Sequence, residues 1–135
     1  MNGNNAYIAI GLKGLMKKKK PNKARLEKEL DVAWSEYVRN RDKICLKCGS
    51  HGSISAHHAF GRRHRATRWD VENGVGLCYP CHIHWAHRDP CGFALWFRGQ
   101  VGSDQYERLA EAHNMIVKHT VEDLQAMLDA IRGLE

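Results

Sequence analysis

This 135-residue sequence contains no run approaching the roughly 20 apolar side chains that a membrane span requires, so a bilayer is not among its expected partners. The N-terminal apolar stretch is expected to be a poor secretory signal. The apolar residues 7–16 are few, their lysines follow rather than precede them, and no small-residue cleavage site comes after. A cytoplasmic location is the resulting expectation. The cysteine count is odd, and five thiols in a reducing compartment argue against a disulfide framework. There is no internal repeat, and the length leaves room for one modest core rather than two. Acidic residues are scarce over the first two thirds. Residues 1–43 hold eleven Lys/Arg against five Asp/Glu and residues 44–99 seven against three, whereas residues 100–135 hold three against seven. A basic surface of this kind attracts nucleic acid, because duplex DNA carries one negative charge per about 1.7 Å of axis. A solvated basic face is the alternative reading of the charge alone.

What is present divides the chain into stretches. Residues 1–20 end in a lysine run without sustained periodicity and read as a basic flexible arm. Residues 21–135 read as a single domain. Pro21 opens a helix over residues 22–42, in which Leu26, Leu30, Ala33/Trp34 and Tyr37 recur at steps of three and four. The Cys-Gly-Ser-His-Gly-Ser segment after it reads as a turn between short strands, and a hairpin is expected within residues 44–77 of a zinc-bound core spanning residues 43–90. Residues 91–135 read as a helical buttress. Ser103 caps one helix of it, and Thr120 with Asp123 forms a capping box for a last helix with Val121, Leu124, Leu128 and Ile131 on one stripe, ended by Gly133. The expected class is α+β.

Four of the five cysteines form two Cys-x-x-Cys pairs, Cys45/Cys48 and Cys78/Cys81, which supply the four thiolates of a closed structural zinc site. Their separation is unusual. Twenty-nine residues lie between the pairs, where a plain zinc ribbon has about 15 to 20. The gap holds an adjacent pair, His57-His58, then Arg62, Arg63, Arg65 and Arg68, then Asn73, and His82 follows Cys81 directly. A histidine pair, an asparagine before the second cysteine pair and a histidine just after it, in that order, resemble the HNH (ββα-metal) endonucleases. The resemblance extends over about residues 27–134 to the phage recombination endonucleases of NinG (Rap) type, through the helix running into Cys45, the Thr-Arg-Trp-Asp-Val-Glu-Asn73 stretch and the closing helical segments.

That resemblance implies a small zinc-stapled ββα-metal core flanked by N- and C-terminal helices. It also implies a metal-dependent DNA endonuclease acting on branched recombination intermediates in the host cell cytoplasm. Hydrolysing a phosphodiester needs a metal at the scissile phosphate and a base for the attacking water. Neighbours on a strand point apart, so His57 can turn to the metal while His58, with an ordinary pKa of about 6.5, serves as base. In the family the asparagine positions the loop carrying the base, and Asn73 matches it. His82 matches a metal ligand of related phage resolvases. Many relatives carry a second histidine four residues on, where this chain has Ala86. His87 comes one step later, about 140° around a regular helix from His82, unless the helix starts after His82. The expected third ligand is His87, with His84 as rival. Where many relatives have Asp, this chain has His57. The expected ion is Mg²⁺ or Mn²⁺, with Ni²⁺ or Zn²⁺ as alternatives because imidazole suits transition metals. The four arginines are expected on DNA phosphates, and a homodimer would suit paired cuts in a four-way junction. A non-cutting zinc-ribbon DNA-binding module and an HNH enzyme of restriction or homing type are the competing readings.

Overall fold

The computed structural model describes residues 22–135. The basic arm and Pro21 lie outside them. Helix α1 (Lys23–Asp42) begins at Asn22, whose side chain accepts from the Arg25 amide at 2.8 Å. It buries Leu26, Leu30, Ala33, Trp34 and Val38 on one stripe, while Tyr37 stands half-buried at its edge. The helix stops at Lys43, which adopts φ 62°. Against the stripe packs the last helix, α4 (Val121–Arg132), through Leu124, Leu128 and Ile131. Both bonds of the Thr120/Asp123 capping box are made, and Gly133 follows the helix.

Strands β1 (Ile54–His58) and β2 (Gly74–Cys78) form one antiparallel pair, in register from Ile54 opposite Cys78 to His58 opposite Gly74. The turn over residues 48–53 therefore precedes the hairpin instead of lying inside it. Its backbone bonds fold it on itself, Cys45 N–H to Ser50 O at 2.9 Å and Gly49 N–H to Cys45 O at 2.8 Å. The chain between the strands is the histidine- and arginine-bearing loop, which closes in a single 3-10 turn, Val71–Asn73. After β2 comes a seven-residue π-helix, Pro80–Ala86, then α2 (Pro90–Val101) and α3 (Ser103–His113). Helix α2 falls within the stretch expected to be helical, and its start is set by Asp89-Pro90, where the Asp89 side chain caps the Gly92 amide at 3.0 Å. Ser103 makes no side-chain cap, because α3 starts directly from Gly102 in a positive-φ conformation.

Two cores result. The first joins α1, α4 and Trp69, and the second gathers Cys45, Val75, Leu77, Cys78, Ala86, Phe93, Phe97 and Leu109. The molecule is α+β, with five helices counting the π-helix and one two-stranded hairpin among the described residues. No helix among them is long and apolar enough to cross a membrane.

The end of α1 is bolted to β2. Arg41 donates to Val71 O at 2.8 Å and Gly74 O at 2.7 Å, and Asp42 accepts from the Gly76 amide at 2.7 Å. This close approach is possible only because position 74 has no side chain. A Cβ there would sit 2.5 Å from Val38 Cγ2 and 2.7 Å from the Trp34 indole. Gly74→Ala is accordingly expected to overpack the α1–β2 contact and cost about 1–3 kcal/mol. Urea unfolding measures this, and an unchanged midpoint would contradict the close packing.

Candidate functional site

Cys45 and Cys48 lie in the turn after α1, Cys78 ends β2, and Cys81 sits in the first turn of the π-helix. The sulfurs of all four lie within 4.8 Å of one another, and Cys48 Sγ is 3.6 Å from Cys78 Sγ. Tetrahedral zinc with Zn–S bonds of about 2.3 Å sets its sulfurs about 3.8 Å apart, so the cluster fits a structural zinc. The Leu46 N–H bond to Gly76 O, 3.1 Å, holds the first pair against the second. Burial works to raise the Cys45 thiol, but backbone N–H groups at Cys78, Cys48 and Lys47 overcome it and bring it down to about 6. Burial and three neighbouring thiols push Cys81 up. Thiols so crowded cannot all ionise unless a cation sits among them. The long gap between the pairs is filled by the hairpin itself.

A second donor group comprises His57, His82 and His87, again with ligand atoms within 4.8 Å. Their ring centres are separated by 5.1 Å (57 to 82), 5.2 Å (57 to 87) and 4.8 Å (82 to 87), and the Nε2 atoms of His82 and His87 by 3.1 Å. A start of the helix after His82 does not explain how His87 reaches His82. The helix begins at Pro80 and is of π type, and the His87 amide bonds the His82 carbonyl, five residues back, at 3.2 Å. That wider turn brings residues five apart onto one side. His84 points elsewhere, its ring edge-on to Tyr79 at 5.4 Å. Burial, with His82, His87 and His58 around it, drives the His57 imidazole down to about 3, and burial and His87 lower His82. Neutral imidazoles with available lone pairs are what a metal needs.

His58 leaves β1 on the opposite side and lies flat on Trp34, ring centres 3.7 Å apart and planes 9° from parallel. Its Nε2 is 2.9 Å from the Arg68 carbonyl. A carbonyl only accepts, so Nε2 carries the proton and Nδ1 is the basic nitrogen. Burial takes the pKa to about 4, against the raising effect of that hydrogen bond. His57, His58, His82 and His87 all line one cavity of about 610 Å³, with Arg62 and Asp31 also in its walls.

Asn73 is fully buried, and both hydrogens of its amide are taken. Its Oδ1 accepts from Phe60 N–H at 2.8 Å, and its Nδ2 donates to Phe60 O at 2.9 Å and Thr67 O at 3.0 Å. One side chain thus clamps both ends of the loop over residues 60–67. The loop arginines are not equivalent. Arg68 forks onto Asp31 at 3.0 and 2.6 Å, Arg62 reaches the same carboxylate at 3.0 Å, and Arg65 pairs with Glu27. Arg63 is exposed and has no carboxylate partner among the described residues. Arg68 and Arg65 also lie over the Trp69 ring, at 5.0 and 5.4 Å.

Comparison with family models, with curated proteins and with solved structures finds no match for this chain. Asp31 and Trp34 are the two residues around His58 that no motif in the sequence marks, Trp34 belonging to the buried stripe of α1. The available signal was their spacing: three apart on a helix, they share a face.

Proposed function

We propose that this chain is a metal-dependent DNA endonuclease of HNH (ββα-metal) type, hydrolysing phosphodiester bonds in branched DNA. The observation carrying this reading is His58. A structural zinc domain has no use for an imidazole with one nitrogen tied to a carbonyl and the other basic, in the same cavity as a three-histidine donor group. In the mechanism His58 Nδ1 takes the proton of the attacking water, and burial keeps that ring neutral at physiological pH. Asn73 holds the loop that carries the Arg68 carbonyl, and so acts on the base from a distance. His57, His82 and His87 would hold a divalent ion, which would supply positive charge for the scissile phosphate and the departing oxygen. Three nitrogen donors suit Mn²⁺, Co²⁺, Ni²⁺ or Zn²⁺, whereas Mg²⁺ favours oxygen ligands and fits this set poorly. Arg62 and Arg63, the exposed members of the arginine loop, are the phosphate contacts, while Arg65 and Arg68 serve the loop's own structure.

Branched substrates are favoured over sequence-defined sites by the long resemblance to phage recombination endonucleases. Paired cuts across a four-way junction would take two copies related by a two-fold axis. The test is incubation of the wild-type chain and His58→Ala with matched linear, flap, D-loop and four-way DNAs under Mg²⁺, Mn²⁺, Co²⁺ or Ni²⁺. Branched DNA is expected to be cut with the transition metals, and His58→Ala is expected to slow cutting by about 10²- to 10⁴-fold at unchanged zinc content. A wild-type protein that binds all four DNAs and cuts none under any metal is a binding module instead.

A further inference from the structure

Helix α1 contributes to the cavity although nothing in the HNH pattern lies on it. Asp31 is the point of contact. Its Oδ1 accepts from Arg68 Nε at 3.0 Å and from Trp69 Nε1 at 2.8 Å, and its Oδ2 accepts from Arg68 Nη2 at 2.6 Å and Arg62 Nη2 at 3.0 Å. The side chains on either side of the 68–69 peptide are therefore tied to one carboxylate. The carbonyl of that same peptide receives the His58 Nε2 proton. One turn further along α1, Trp34 supplies the flat surface under the His58 ring, and its own Nε1 is held by Asp70 O at 2.8 Å. Burial works against the Asp31 charge, but the bonds from Arg68 and Trp69 and the charge of both arginines hold its carboxyl below the usual range.

We infer that Asp31 is a positioning residue for the base: by pinning Arg68 and Trp69 it fixes the peptide carbonyl that sets the tautomer and orientation of His58. This rests on the endonuclease reading for its consequence in catalysis, but not for its structural content. A carbonyl in a free loop would rotate, and His58 could then place its proton on either nitrogen. Outer partners that orient a functional imidazole are worth about 10- to 100-fold in activity. Asp31→Asn keeps the size of the side chain, yet its amide nitrogen cannot accept from Arg68 or Trp69.

The experiment uses the full zinc-loaded chain labelled with ¹⁵N-histidine. Long-range proton–nitrogen correlation at neutral pH reads the His58 tautomer directly, without need of activity. Wild type is expected to show a single Nε2–H form, and Asp31→Asn a mixture of both tautomers. On cleaved DNA, Asp31→Asn is expected to lower kcat about 10- to 100-fold, and to leave kcat unchanged in a His58→Ala background. Arg68→Lys, which keeps the charge but loses the two-point fork, is the second variant should Asp31→Asn fail to fold, and it is expected to show the same tautomer mixing. Variants that fold and keep His58 wholly in the Nε2–H form overturn the inference. If wild type cuts no DNA, the endonuclease reading fails while the tautomer measurement still decides the role of Asp31.

Discussion

Stripping the four-cysteine site with a strong chelator is expected to unfold the half of the protein built on β2, the π-helix, α2 and α3. Cys45 and Cys78 are themselves members of the core that holds Val75, Leu77, Phe93, Phe97 and Leu109. A structural zinc contributes on the order of 10 kcal/mol of apparent folding free energy, while a whole domain of this kind has about 5–15 kcal/mol. No disulfide supplements it, since none of the five cysteines is in one. Cys78→Ser, which removes one thiolate at the junction of β2 and the π-helix, is expected to lose zinc and cooperative unfolding together. Because the α1–α4 core contains no cysteine, hydrogen exchange should show protection lost first in the hairpin and α2–α3 and last in α1 and α4. Metal analysis and thermal unfolding check this, and a Cys78→Ser protein with wild-type Tm and zinc content would sink the four-thiolate assignment.

Asn73→Ala is expected to have the next largest effect, and to act on stability and cleavage together. Truncation leaves the Phe60 amide and carbonyl without their side-chain partner, and leaves the Thr67 carbonyl with the Asp70 amide alone. An unsatisfied buried group costs about 1–3 kcal/mol, and partial rehydration at half-buried Phe60 keeps the expected total at about 3 kcal/mol. The loop released is the one whose continuation carries Arg68, so His58 loses its fixed acceptor as well. Asn73→Asp is expected to do no better: it can still accept from Phe60 N–H, but two carbonyls then face a buried carboxylate. Urea unfolding and cleavage rates measure the pair. If Asn73→Asp matched wild type in both, the clamp would not depend on the donated bonds.

Both cysteine pairs were legible because a Cys-x-x-Cys spacing carries its own local geometry, and the structure adds only that the hairpin occupies the space between them. Helices α1, α3 and α4 were legible from periodicity and, for α4, from the Thr120/Asp123 box. Helix α2 was legible only as part of a helical stretch, its bounds unassigned despite the Asp89-Pro90 start. The hairpin was expected at the wrong turn, since glycine and serine in residues 48–53 mark a zinc-binding turn as readily as a strand connection.

By itself, the sequence determined the donor types and their order: four thiols in two local pairs, adjacent histidines on one strand, an asparagine ahead of the second pair and a histidine just behind it. These follow from spacing along a few residues, where covalent geometry leaves little choice. Only the tertiary structure decided which histidine joins His57 and His82, because that turns on an i→i+5 helical turn that the spacing could not distinguish from a regular one. It likewise decided that Arg62, Arg65 and Arg68 face carboxylates of α1, and that Asp31 and Trp34 stand around His58. Those pairings join residues 24 to 38 positions apart, and they exist because α1 packs across the loop between the strands, a contact set by burial of its stripe and not by any motif.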